Sequence, residues 1–596
     1  MKINLKKLIN PIIVILLALI FFIATSSFNY LTQDKNYTKW TSPDETANYF
    51  FSKKLGEEGG LSYFDPAAVI GDNLVMPRSL RSDFGWVKPV SFLGIILSYG
   101  TIASYLGIGV IPFLTPFFAS LGIIFFYFLV SKIFKNKRIG LISAFLLATF
   151  PVYIYYTVRS MFHNVLFVVF LMIAAYFLAI ALGEKREEGI WENFKAKFFS
   201  FRLKRERNLQ MIFAFIAGTF AGLAIITRTS ELIWLAPSAF IIWLFYARRL
   251  GLIKLVLFLA GLFLTLLPVA YWNTVLYQSS FSTGYNEMNR SLQELSAASN
   301  EVVKTTFQGQ LSKYNEYFKT LTHNIFYFGF NKSQSIMMFR NYVIEMFPFL
   351  VSIGGLGFVL LFIQNLKRFQ KRYLVYVIVW GVLGVILIFY YGSWRFNDNP
   401  DPTHFTIGNS YTRYWLPIYL MLLPLVALAI ERVSRAILFI NHKTKARIRM
   451  IMASGLQGVA VLGLSYIGIM FVLFGSEEGL AYLYYNNLSE RINAEKVFAL
   501  TDHEGIIITQ YYDKFFFPER RIIMGTLPND EILNGVKKLV NYYPVYYYNF
   551  YLNDKDVQYL NERKFLSYNL EMKLVNKVNS KFGLYKLEGI KNYENK

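Results

Sequence analysis

Apolar residues in this chain gather into long runs separated by shorter polar segments, and the runs have the length that crosses a bilayer. The first spans Leu8 to Ile23, behind Lys2, Lys6 and Lys7. Others lie at about 107–131, 139–158, 163–182, 210–227, 232–247, 252–274, 341–364, 373–392, 414–430 and 450–474. A helix needs ~20 apolar residues to cross ~30 Å of hydrocarbon, so the pattern predicts about eleven spans. The first run has the layout of a signal peptide, with Ala24-Thr25-Ser26-Ser27 as a candidate cleavage region. Its length favours an uncleaved span instead.

The polar segments alternate in character. Every second loop is basic: Lys132, Lys135, Lys137 and Arg138; Lys185 to Arg207; Arg248, Arg249 and Lys254; Lys367, Arg368, Lys371 and Arg372; Arg432 to Arg449. The intervening segments are mixed or short. Basic loops are retained on the cytoplasmic side, which predicts an N-terminus inside and a C-terminus outside. Three outer regions are then large. Residues 29–106 form a loop that is polar as far as about Lys88, residues 275–340 a second loop that is polar and predicted helical, and residues 475–596 a tail. In the tail, Gly505–Thr509 and Pro544–Tyr548 are strand-like, and Asn529–Val540 is helical. That alternation predicts a small α/β domain. The fold class is thus a polytopic α-helical membrane protein: a module over 1–474 and an extracytoplasmic α/β domain over 475–596.

Composition agrees and narrows the chemistry. The chain is 55% hydrophobic and 17% charged, too apolar for a soluble protein of 596 residues. The formal charge of +23 sits mainly in the inner loops, so it reflects membrane topology and not a nucleic-acid partner. No cysteine is present, which excludes disulfides, thiolate metal sites and a cysteine nucleophile. The five histidines, His163, His323, His404, His442 and His503, are too scattered to suggest a histidine-built zinc site.

Residues able to do chemistry collect at the outer ends of spans. Asp44 and Glu45 open a helix in Thr41-Ser42-Pro43-Asp44-Glu45-Thr46-Ala47. The ordinary explanation is a capping box with Ser42 at N-cap, Pro43 at N1 and Glu45 at N3. The functional one is a carboxylate pair at the outer membrane surface. Lys88, in Trp86-Val87-Lys88-Pro89-Val90, is either an interfacial anchor or a cation facing a lipid phosphate. Arg159, Arg228 and Arg413 occupy outer span ends, where basic residues are disfavoured. Arg228 can pair with Glu231 at i,i+3, but three cations at one depth would also hold a phosphate. Asp398, Asp401 and His404 lie in a turn-rich loop and are candidate ligands for a divalent cation. No other cofactor is indicated.

These residues, in this order, resemble the GT-C membrane glycosyltransferases, and most of all the glycosyltransferase family 39 group of protein mannosyltransferases and lipid A aminoarabinose transferases. The resemblance covers about residues 1–475. Asp44-Glu45 is similar to the family's acidic pair in the first outer loop, and Lys88-Pro89 to its Lys-Pro-Pro segment, with Val90 in place of the second proline. Gly222-Leu223-Ala224 through Arg228 resembles its fifth-span pattern. Arg413-Tyr414 with Pro417 resembles its entry to a late span. Asn164 departs from the family, which often has aspartate there. The resemblance implies a sugar donor on a polyprenyl phosphate, an inverting displacement, and a protein, lipid or glycan acceptor. Asp44 is then the base with Glu45 as orienter or alternate base, and Lys88, Arg159, Arg228, Arg413 and Tyr414 hold the donor phosphate. A transporter or flippase would need polar residues near the bilayer midplane, and these spans are poor in them. A non-enzymatic scaffold for envelope glycan assembly would leave Asp44 with only a capping role. An oligosaccharyltransferase is a closer rival, but the tail lacks that family's Trp-Trp-Asp signature.

Overall fold

The computed structural model of the chain describes residues 5–32, 40–183, 200–284, 329–396, 398, 405–439, 446–475, 478–527 and 529–590. Most of the second outer loop, residues 285–328, therefore lies outside the described residues, as do Asp401 and His404.

Among the described residues, nine helices are long and apolar enough to cross a membrane, from Ile9–Thr32 to Ile448–Phe474. A further crossing is built from two shorter helices, Lys137–Ala148 and Pro151–Val158, bent by 52°. The sequence predicts one unbroken span there. Pro151 divides it, because a proline has no N–H to continue the ladder but suits the first position of a new helix. The longest helix, Thr229–Tyr277, has 49 residues and would reach ~73 Å at ~1.5 Å per residue, far beyond one hydrocarbon layer. Its backbone leaves helical geometry at Gly251, with φ 64° and ψ 167°. Past that point Lys254 reaches Gln210, Gly218 abuts Phe258 and Gly222 abuts Leu262. Positions on the two helices rise together, so 252–277 runs parallel to Ser200–Thr227 and the chain has reversed at Gly251. With this helix counted as two crossings and the bent pair as one, the total is the eleven predicted.

The first outer loop is a folded layer. It contains the helix Pro43–Glu58, the antiparallel strands β1 (Tyr63–Phe64), β2 (Leu80–Asp83) and β3 (Trp86–Pro89) in order β1-β3-β2, and the apolar helix Leu93–Leu106 packed on Pro43–Glu58. The tail forms a five-stranded mixed sheet, β5-β4-β6-β8-β7, from β4 (Ile506–Thr509), β5 (Arg521–Met524), β6 (Val545–Phe550), β7 (Leu570–Lys577) and β8 (Phe582–Gly589). Strand β4 runs parallel to β5 and β6, and the β6–β8–β7 side is antiparallel.

Loop and tail share a core. Ala67, Ala68 and Val75 of the loop are buried with Ile506, Ile508, Ile523, Leu533 and Val536 of the tail. Bidentate Arg78–Asp513 contacts, from 2.6 Å, and the Arg521–Asp65 pair at 3.0 Å fix the register. Consequently the helix bearing Asp44 and Glu45 is held between the membrane helices and the tail.

Candidate functional site

The helix Pro43–Glu58 starts where the sequence predicts. Ser42 is the N-cap, extended at φ −120° and ψ 143°, and Pro43 holds N1. The capping box is not formed. The Ser42 side chain makes no cap bond, and Glu45 turns away from the helix start. Its Oε2 accepts from Arg159 NH2 at 2.9 Å and Nε at 3.2 Å. Glu45 is completely buried, and the Arg159 side chain is 13% exposed. Burial pushes the Glu45 carboxyl above the ordinary carboxylate range, and Arg159 draws it part of the way back. A buried charge of this kind is tolerated only with its partner, so Arg159 is the reason Glu45 can sit there. Asn48, one turn along, donates to the Met161 carbonyl at 2.9 Å, which fixes the same helix to the same turn.

Asp44 points elsewhere, because consecutive helical side chains diverge by ~100°. It accepts from the Ser79 hydroxyl and lies within electrostatic reach of Arg413. No ion pair joins Asp44 to Arg413, so a gap separates carboxylate and guanidinium.

Arg413 stands in the short helix Ser410–Tyr414. Its NH2 donates to Ser410 Oγ at 2.7 Å and its guanidinium lies 4.4 Å from the Phe162 ring centre. Its Nε is buried and has no partner among the described residues. Arg228 also lies near Tyr414, 4.7 Å from that ring's centre, with Arg413 at 5.0 Å. Tyr414 stacks at 4.4 Å on Tyr391, whose hydroxyl donates to Glu231 at 2.8 Å. Arg228 in turn makes the i,i+3 pair with Glu231 at 2.9 Å, so the ordinary explanation of this residue holds in full.

Lys88 sits apart on β3. Its ammonium contacts Asp83 at 2.6 Å and the Leu276 carbonyl at 2.9 Å, tying the first outer loop to the end of the Leu232–Tyr277 helix. Its connection to the cluster is indirect: just past the end of β3, Ser91 donates to Asn48 at 2.6 Å and lies 3.2 Å from His163 Nε2. Asp398 is occupied by Asn409 Nδ2 at 3.1 Å and the Ser410 N–H at 2.9 Å. It thereby positions the Arg413 turn, and the other two candidate ligands, Asp401 and His404, lie outside the described residues.

Two residues gain a role only in three dimensions. Asn164 donates its amide to the Arg413 carbonyl at 3.0 Å. An ionised carboxylate could not make that bond, so the departure from the family's aspartate is matched by a local contact. Glu478 accepts from the Gly408 N–H at 3.0 Å and senses Arg159. Nothing in the sequence near Glu478 marks it, since its neighbours in space lie far away in the chain.

No protein-family model matches this sequence, and no curated protein does. Solved structures do resemble it. The Archaeoglobus fulgidus oligosaccharyltransferase tethered to an acceptor peptide containing an NVT sequon superposes with a TM-score of 0.51 at 14% identity, over 89% of this chain and 69% of that one. The same enzyme in complex with zinc and sulfate gives 0.51 at 15% identity, over 89% and 67%. ArnT from Cupriavidus metallidurans bound to undecaprenyl phosphate gives 0.50 at 12% identity, over 96% and 97%. Such identities speak to fold alone, and the fold of this chain is that of the GT-C membrane glycosyltransferases.

Proposed function

We propose that this protein is an inverting glycosyltransferase of the cell membrane, taking a sugar from a polyprenyl-phosphate-linked donor and passing it to an acceptor on the extracytoplasmic side. The observation that carries the reading is Arg413, a guanidinium with no carboxylate partner among the described residues, set across a gap from Asp44. A half-buried cation left without a counter-ion among the described residues suits a ligand that brings a negative charge. The carboxylate opposite suits removal of a proton from the group that attacks. ArnT, which shares the fold, has been solved with undecaprenyl phosphate bound.

In this reading the acceptor hydroxyl loses its proton to Asp44 as its oxygen bonds to the anomeric carbon. The bond from that carbon to the phosphate oxygen breaks on the opposite face, inverting the centre. The departing polyprenyl phosphate gains a negative charge, which Arg413 stabilises. Tyr414 and Arg228 wall the same side, and Arg228, neutralised by Glu231, contributes shape more than charge. Lys88, bound to Asp83, has the same lesser standing. The basic loops support a cytoplasmic N-terminus and a tail outside, where a lipid-borne donor needs no nucleotide. The test is donor consumption by the purified full chain in lipid, across a panel of polyprenyl-phosphate sugars, for wild type and Asp44→Asn. Consumption by the wild type alone is expected. Absence of consumption over the whole panel, with acceptor extracts supplied, would overturn the proposal.

A further inference from the structure

At the basic end of two packed membrane helices, cations from distant segments converge. The helix that runs from Leu232 to the reversal at Gly251 packs on Lys371–Gly392. Lys371 Nζ lies 5.4 Å from the ring centres of both Phe245 and Tyr246, and the Arg249 guanidinium lies 5.7 Å from that of Tyr246. Arg372 is within electrostatic reach of Tyr246, and its Nε and Nη1 are buried without a hydrogen-bond partner among the described residues. No carboxylate among the described residues pairs with Arg249, Lys371 or Arg372. Lys371 and Arg372 also open their helix, where the backbone dipole is positive and a basic side chain is disfavoured. Retention of basic loops on the cytoplasmic side accounts for basic residues in each loop. It does not account for cations 249 and 371 meeting at one ring against their mutual repulsion.

An anion relieves that repulsion, and the same helix indicates what carries it. Phe240, Trp243, Tyr246 and Arg249 follow at three-residue spacing along one ridge. Phe240, Trp243 and the neighbouring Leu244 are exposed on the membrane-spanning part. An amphiphile with its phosphate at Arg249 and Lys371 lays its chains along these residues, whereas free phosphate has no use for them. We infer that this is a binding site for an anionic phospholipid of the inner leaflet. Arg249 and Lys371 hold its phosphate ester, Arg372 adds charge behind them, and Phe240, Trp243 and Leu244 carry its acyl chains. The site is separate from the proposed donor site: Asp44 and Arg413 belong to outer span ends, and these cations to loops that the charge pattern assigns to the inside.

Native mass spectrometry of the full-length protein in a non-ionic detergent, titrated with phosphatidylglycerol or phosphatidylcholine, tests the site by counting bound lipid. The wild type is expected to retain phosphatidylglycerol in preference to phosphatidylcholine, and excess inorganic phosphate is expected not to displace it. Arg249→Gln/Lys371→Gln should weaken phosphatidylglycerol binding about thirtyfold, the effect of two basic residues near a charged membrane surface. Lys132→Gln/Lys135→Gln removes the same charge from another inner loop and should leave that binding intact. Unchanged phosphatidylcholine binding serves as the check that each variant is folded. Equal retention of the two lipids by the wild type would overturn the assignment, as would phosphatidylglycerol binding that survives Arg249→Gln/Lys371→Gln. Equal losses in the two double variants would reduce the effect to the overall charge of the inner face, and displacement by inorganic phosphate would make this a free-anion site; either result also overturns the lipid site.

Discussion

Arg228 and Arg413 lie at similar distances from one tyrosine ring, yet they are in opposite electrostatic states. Arg228 is closed: Glu231 lies three residues on, and Tyr391 bridges the same carboxylate. Arg413 is open: it is held by a serine hydroxyl and aromatic rings, and Asp44, though within electrostatic reach, makes no ion pair with it. Arg159 is a third case, closed by Glu45 from a distant segment. Three arginines equivalent in the sequence thus divide into two structural ion pairs and one cation with no carboxylate partner among the described residues. Position at the outer end of a span identifies candidates, and the local supply of carboxylate decides which of them is left for a ligand.

Mutations that open the closed pairs or remove the open one separate these roles. The largest effect on turnover is expected from Asp44→Asn, a loss of ~10²–10⁴-fold in donor consumption for a missing base, with binding of undecaprenyl phosphate retained. Arg413→Ala should cost ~10²–10³-fold, as for loss of one contact to developing charge, and should weaken undecaprenyl phosphate binding as well. Equal binding by Arg413→Ala and wild type would remove Arg413 from the phosphate site. Arg228→Met should act on stability first, by ~3–5 kcal/mol, because Glu231 is left buried and unpaired. Thermal unfolding should show most of that loss recovered in Arg228→Met/Glu231→Leu. If the double variant recovers stability but turns over ~10²-fold slower than wild type, Arg228 has a charge role after all.

The smallest effect concerns the tail. Lys514 lies beside the Arg78–Asp513 contact, and burial, with help from the Arg78 charge, lowers its ammonium to about 8. A lysine with a folded-state value below its unfolded one binds fewer protons when folded, so its penalty is full below about 8 and fades as pH rises towards 10.5. Lys514→Met should therefore raise the melting temperature slightly at pH 7 and lose that advantage by about pH 10.5. A gain independent of pH would mean that packing, not charge, is responsible.

Much of the molecule is determined by its sequence. Apolar runs define crossings because hydrocarbon tolerates no unpaired backbone, and even the division at Gly251 falls between two predicted spans. Gly505–Thr509, Asn529–Val540 and Pro544–Tyr548 appear as β4, the helix Asp530–Leu539 and β6, since their patterns are local. Asp44, Glu45, Arg159, Arg228 and Arg413 could be listed as unusual for their depth. Only the tertiary structure decided their partners. The capping box predicted for Glu45 lost to Arg159, because a distant guanidinium offers a buried carboxylate more than its own helix start does. Glu478 carries no signal at all, since it is an ordinary polar residue until folding brings Gly408 against it. Hydrophobic burial is a property of each segment and is written in its composition. The pairing of charges depends on which segments meet, and that is fixed only when the helices pack.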